Sequence, residues 1–195
     1  MRRSVISVPL IAILLGVLLP LNILIRYAPS LIGTTTWNFE EHERVRFING
    51  WTVTIPNGWG GDAEIDDGPE GDLNNQGVEL YGEGEESYSV GVTNAEDAGR
   101  SLASTKKVSE SGEMPAVIST TEYEGHKVVS SYWRDDSGII PELYLYSNGV
   151  DVLYIGGSND PVLNKMVSKG ASAQELVTYI IERVGLHRTE TWAVR

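Results

Sequence analysis

The chain has 195 residues with 15 basic and 27 acidic side chains, a formal charge of −12 and no cysteine. That length allows one domain with an appendage. The missing thiols exclude disulfides, thiolate metal sites, iron–sulfur clusters and covalent c-type haem. The acidic balance argues against nucleic acid as a partner, because a negative surface repels phosphate.

The appendage comes first. Residues 5–25 carry no charge, and only Ser7, Pro9, Pro20 and Asn22 interrupt the apolar run. As a helix this run extends about 32 Å, enough for a bilayer core, so the sequence predicts a transmembrane anchor that meets lipid through residues 5–25. Arg2 and Arg3 precede it and only Arg26 follows closely, which places the N-terminus in the cytoplasm and the remainder outside. The alternative is a cleaved secretory signal. Its nearest small-x-small site is Ala28-Pro29-Ser30, where the central Pro is unfavourable.

Residues 27–43 read as a membrane-proximal linker, with one turn over "NFEEHE" capped by Asn38. The extracytoplasmic domain is then expected over 44–186, with a tail at 187–195. It opens with a hairpin, "ERVRFI" and "WTVTI" around Asn49-Gly50, because Asn-Gly tolerates the positive φ of tight turns. Trp51, Val53 and Ile55 share one face of the second strand, and Pro56-Asn57-Gly58 ends it just before Trp59. Residues 60–77, rich in Gly and acids, read as a loop. Strands "VELYG" and "SYSVGVT" follow, then a helix from Ala95 to about Val108 with Asn94 as N-cap and a small-residue inner face of Ala95, Ala98 and Leu102.

Four further strands come next: "AVISTTEY", "HKVVSSYW", "IIPELYLYS" and "VDVLYIGG". Each is joined to the next by a tight turn, which predicts an antiparallel meander. Asp160-Pro161 starts a short helix. Ser172 to Glu175 is a capping box for a last helix with the apolar stripe Leu176, Val177, Ile180, Ile181 and Val184, ended by Gly185.

The run "GWTVTIPNGW" (Gly50, Trp51, Pro56, Gly58, Trp59), followed by strands, a helix, a meander and a closing helix, resembles the PsbP/Mog1-like family. The resemblance covers about residues 44–186. It implies an α+β fold, an antiparallel sheet flanked by helices as an α/β/α sandwich. It also implies a role without catalysis, as an accessory subunit, assembly factor or chaperone docking on a larger machine.

The chemistry-bearing residues give no sharper assignment. His42, His126 and His187 lie far apart in sequence, without ligand spacing. "DAEIDDG" at 62–68 has Asp67 where the EF-hand loop needs Gly, so Asp62, Glu64, Asp66 and Asp67 are at most a loose calcium site beside the simpler reading of a solvated loop. Ser104 to Lys107 matches Ser-x-x-Lys but sits mid-helix, without the companion Lys-Thr-Gly element. No cofactor is expected. Trp51 and Trp59 read as plugs at the sheet end, with Trp59 also a candidate partner anchor. Trp37, Trp192 and Val194, in polar extensions, are the other partner-binding candidates.

The expectation is therefore a non-catalytic accessory or assembly subunit of a membrane-embedded complex, first an electron-transport complex and second a secretion or envelope complex. The alternative is an anchored, exported module that binds a cation or small ligand.

Overall fold

A computed structural model describes residues 35–47, 50–65, 77–82, 84–112, 116–136, 138–148 and 150–189. Thr36–Ile65 and Leu73–Arg195 form one unit of the chain. A second unit, Met1–Thr35 with Asp66–Asp72, has only Thr35 among the described residues.

The elements in chain order are β1 (Thr35–Phe39), β2 (Arg44–Arg46), β3 (Trp51–Thr54), β4 (Gly60–Ile65), β5 (Gly77–Tyr81), β6 (Ser87–Asn94) and α1 (Ala95–Ser111). They continue with β7 (Val117–Tyr123), β8 (His126–Asp135), β9 (Gly138–Tyr146), β10 (Asp151–Ser158), α2 (Pro161–Ser168), α3 (Ala173–Arg183) and β11 (Leu186–Arg188). Among the described residues one large sheet runs β1-β4-β5-β6-β10-β9-β8-β7, and a small one runs β11-β3-β2.

The expected meander is present: β7, β8, β9 and β10 pair in sequence, all antiparallel. Its first turn, Glu124-Gly125, has φ of 49° and 78°. The hairpin of β2 and β3 also forms, with Val45 opposite Val53. Trp51 and Val53 on one face of β3 are buried together with Ile55 just beyond it, and Thr52 on the other face is buried as well.

The large sheet has two unlike faces. Its inner face carries Val78, Leu80, Tyr88, Val90, Leu143, Leu145, Leu153 and Ile155 into one core with β3 and with Leu176, Val177, Ile180 and Ile181 of α3. Each of the α3 residues is buried, contributing about 1.5–3 kcal/mol. The capping box that starts α3 is formed from both sides: Glu175 N–H donates to Ser172 Oγ (3.3 Å), and Ser172 N–H donates to Glu175 Oε2 (2.7 Å). On the outer face lies α1, capped by Asn94 and packed through Ala98 on Tyr144 and Val152. Its small inner residues allow that close approach.

Two buried carboxylates under the inner face are fully engaged, whereas the Trp51 indole N–H and the Thr121 hydroxyl are buried there without a partner among the described residues. Asp160, 1% exposed, caps α2 by accepting from the Val162 and Leu163 amides (2.8 and 2.9 Å). It also accepts from the hydroxyls of Tyr88 (2.7 Å) and Tyr179 (2.8 Å). Burial and the Asp160 charge push both tyrosine pKa values well up. Glu86, 5% exposed, receives both prongs of the Arg183 guanidinium at 2.9 and 2.6 Å.

Three segments differ from expectation. Thr35–Phe39, expected as linker and turn, is the strand β1 beside β4. Gly60–Ile65, expected as loop, is β4. A Cβ on Gly61 would sit 3.0 Å from the Glu79 carbonyl, so this glycine serves strand contact rather than looseness. His187 and Arg188, expected as the start of the tail, join Leu186 in a strand antiparallel to Val53, Thr52 and Trp51. Among the described residues no helix is long and apolar enough to cross a membrane, and the expected span at 5–25 lies outside them.

Candidate functional site

The outer face is open beyond α1. There a cleft of about 240 Å³ is lined by Glu79, Ser87, Ser89, Trp133, Glu142, Tyr154, Gly156 and Ser158, among others. Register explains how these residues meet. Glu79 on β5 lies opposite Ser89 on β6, Ser89 opposite Gly156 on β10, Gly156 opposite Glu142 on β9, and Glu142 opposite Ser131 on β8. These five residues form one transverse row on one face. The two carboxylate-bearing residues are three strands apart, about 14 Å between Cα atoms.

Gly156 keeps the centre of the row low. A Cβ there would lie 2.3 Å from the Tyr154 hydroxyl oxygen, so that hydroxyl sits over Gly156, between the acids. Burial raises the Tyr154 pKa first, and the charges of Glu142 and Glu79 add to it. Its hydroxyl has no hydrogen-bond partner among the described residues, whereas every other polar group of the row is engaged. Ser89 Oγ donates to Glu79 Oε1. Ser131 Oγ donates weakly to Glu142 Oε2 (3.3 Å), and the Tyr144 hydroxyl lies 3.5 Å from the same oxygen while donating to Ser101 Oγ (2.8 Å). Burial raises the Glu142 pKa, and the two hydroxyls offset part of that rise. Among the described residues no Lys or Arg lines the cleft.

The row sets two acceptors, a free phenol and two aromatic rings around one depression. A cation placed there gains charge-assisted bonds and ring contacts together.

The sequence-derived candidates fall elsewhere. Trp59 is 5% exposed. Its ring covers Gly82, where a Cβ would be 2.7 Å away, and the Arg183 guanidinium stacks 4.7 Å from its centroid. The expectation that Trp59 anchors a partner from an exposed corner is therefore corrected, because its surface is spent inside the fold. Trp37 lies in β1. Asp62 and Glu64 lie in β4, and Asp62 accepts from the Tyr81 hydroxyl (3.3 Å). Asp66, Asp67, Trp192 and Val194 lie outside the described residues. Among the described residues no three His, Asp or Glu side chains converge as a metal site. Ser104 is exposed on α1. The signal that pointed to the outer row was present in the strands themselves, as a polar or glycine residue at the outward positions of "VEL", "YSV", "IGG" and "PEL".

No family model matches the chain, and no curated protein matches it. Among solved structures it is similar to cyanobacterial PsbP (CyanoP) from Synechocystis sp. PCC 6803, determined in solution, at 14% identity over 80% of this chain and 94% of that one, with a TM-score of 0.45. PsbP, which gives the resemblance expected from the sequence its family name, is also the name of this similar structure, and the described residues form a large antiparallel sheet with a few helices.

Proposed function

We propose that this protein is a non-catalytic accessory or assembly subunit of a membrane-embedded complex, with an electron-transport complex as the preferred setting. Residues 5–25 tether it to the bilayer as a transmembrane helix. The N-terminus lies in the cytoplasm, and a PsbP-like α/β/α domain lies outside. The observation that carries this reading is the row Glu79–Ser89–Gly156–Glu142–Ser131 with Tyr154 above it. Its groups suit docking better than reaction: the carboxylates are weak bases towards the serines beside them, and Tyr154 stays protonated. The partner brings a Lys or Arg side chain into the cleft, between the carboxylates and against the Trp133 and Tyr154 rings.

The test is capture of the full chain from its own membranes in mild detergent. One stoichiometric integral-membrane partner is expected, lost when Glu79→Gln and Glu142→Gln are combined. A chain recovered alone, or capture indifferent to the double variant, overturns the reading.

A second reading, a module for a small organic cation or calcium, is favoured by the unpartnered Tyr154 hydroxyl between two acids. It expects a rise in melting temperature with an alkylammonium ion or calcium that the same double variant abolishes. Asn at Asp62, Asp66 and Asp67 tests the acidic segment separately.

A further inference from the structure

Strand β7 ends the large sheet, and its outer edge is bonded at both ends but bare in the middle. The two-residue turn at Glu124-Gly125 makes Tyr123 and His126 a hydrogen-bonded pair, so the odd-numbered residues of β7 bond to β8. The even-numbered residues turn their amides and carbonyls outward.

Two of those outward positions are already satisfied. The Ala116 amide donates to Ser109 Oγ (2.9 Å) at the end of α1, and the Glu122 carbonyl accepts from Gln174 Nε2 (2.9 Å) at the start of α3. Between them Ile118 and Thr120 each keep a free amide and carbonyl, with no partner among the described residues. This edge carries none of the usual protections, having no Pro, no Lys and no bulge. Val117 and Ile118 are 66% and 39% exposed beside it.

We propose that two copies of this chain pair through β7, antiparallel, about a two-fold axis at Ser119. The free groups are self-complementary about that point. Ile118 of one copy meets Thr120 of the other, and the reciprocal pair repeats the match, so four hydrogen bonds use the four free groups of each edge. Glu122, the one charged residue of the strand, then faces Ala116 rather than its own copy. A two-fold at Thr120 instead requires the Glu122 carbonyl that Gln174 holds. The two outer faces lie on one side of the joined sheet, so two acidic clefts face the same way. The contact is short, which makes a weak dimer with Kd of about 100 μM. Net charge of −12 on each copy opposes it, so salt strengthens it.

The absence of cysteine makes the register testable in the full chain in detergent. In this register Ser119 lies opposite itself as a non-hydrogen-bonded pair, with Cα atoms about 4.5 Å apart, within reach of a disulfide. Ser119→Cys is expected to give a covalent dimer under mild oxidation. Thr121→Cys, which faces Val117 of the other copy, is expected to stay monomeric. Thr120→Pro removes only an outward amide, so it keeps the melting temperature while lowering Ser119→Cys cross-linking at least tenfold. Cross-linking of Thr121→Cys but not Ser119→Cys overturns the proposal. So does Ser119→Cys captured by a different protein, or a monomer by sedimentation at every salt concentration with no cross-link.

Discussion

Two buried or half-buried carboxylates, one on each side of the large sheet, live under opposite rules. Asp160, under the inner face, accepts from two amides and two tyrosine hydroxyls and has nothing left to offer. Glu142, on the outer face, has only two long hydroxyl contacts and no cation, and burial raises its pKa. The inner face uses its two buried carboxylates, Asp160 and Glu86, to hold the fold together. The outer face leaves charge and a free phenol partly desolvated, which costs stability and makes sense where a ligand or partner completes the set.

The largest expected effect breaks the closed side. Asp160→Ala removes the α2 cap and leaves the Tyr88 and Tyr179 hydroxyls without their acceptor, costing about 3–4 kcal/mol in urea unfolding. A loss below about 1 kcal/mol would show that the inner network is not closed.

A smaller effect of opposite sign sharpens the open side. The folded-state pKa of Glu142 lies above the ordinary 4.5, so the folded state holds that proton more tightly. Its contribution is most favourable below 4.5 and is lost as pH rises through the folded value. Glu142→Gln is therefore expected to stabilise the protein by up to about 1 kcal/mol at pH 7, and by nothing below pH 4. Thermal melts across that range read the difference.

The smallest effect belongs to Tyr154→Phe. Its hydroxyl has no partner, so the change is expected to stay within about 0.5 kcal/mol in the same melts. A cost above about 1.5 kcal/mol would mean that the outer row is structural after all.

The same contrast decides what could be read from the sequence. Elements with a local signature were legible: Asn-Gly and Glu-Gly turns marked the hairpins, and Ser172 with Glu175 marked α3. β1, β4 and β11 were not, because "TTWNF", "GGDAEI" and "LHR" have little apolar alternation. They become strands only through neighbours distant in sequence, as His187 opposite Thr52 shows. The inner core followed from periodicity. The outer row did not, since its order depends on the register of five strands, and no single segment carries that information. Trp59 was read first as a plug and second as an anchor, because aromatic content alone does not say which way a corner residue turns.

The pairing of Leu186–Arg188 with Trp51–Val53 has a consequence for how the protein comes into being. The first hairpin cannot gain its third strand until Arg188 has left the ribosome, whatever else has formed by then. Closure of that small sheet joins segments about 135 residues apart, and is slow by its contact order. Until it occurs, Trp51 and Val53 lack that neighbour, and a holding chaperone has an extended, oily segment to grip.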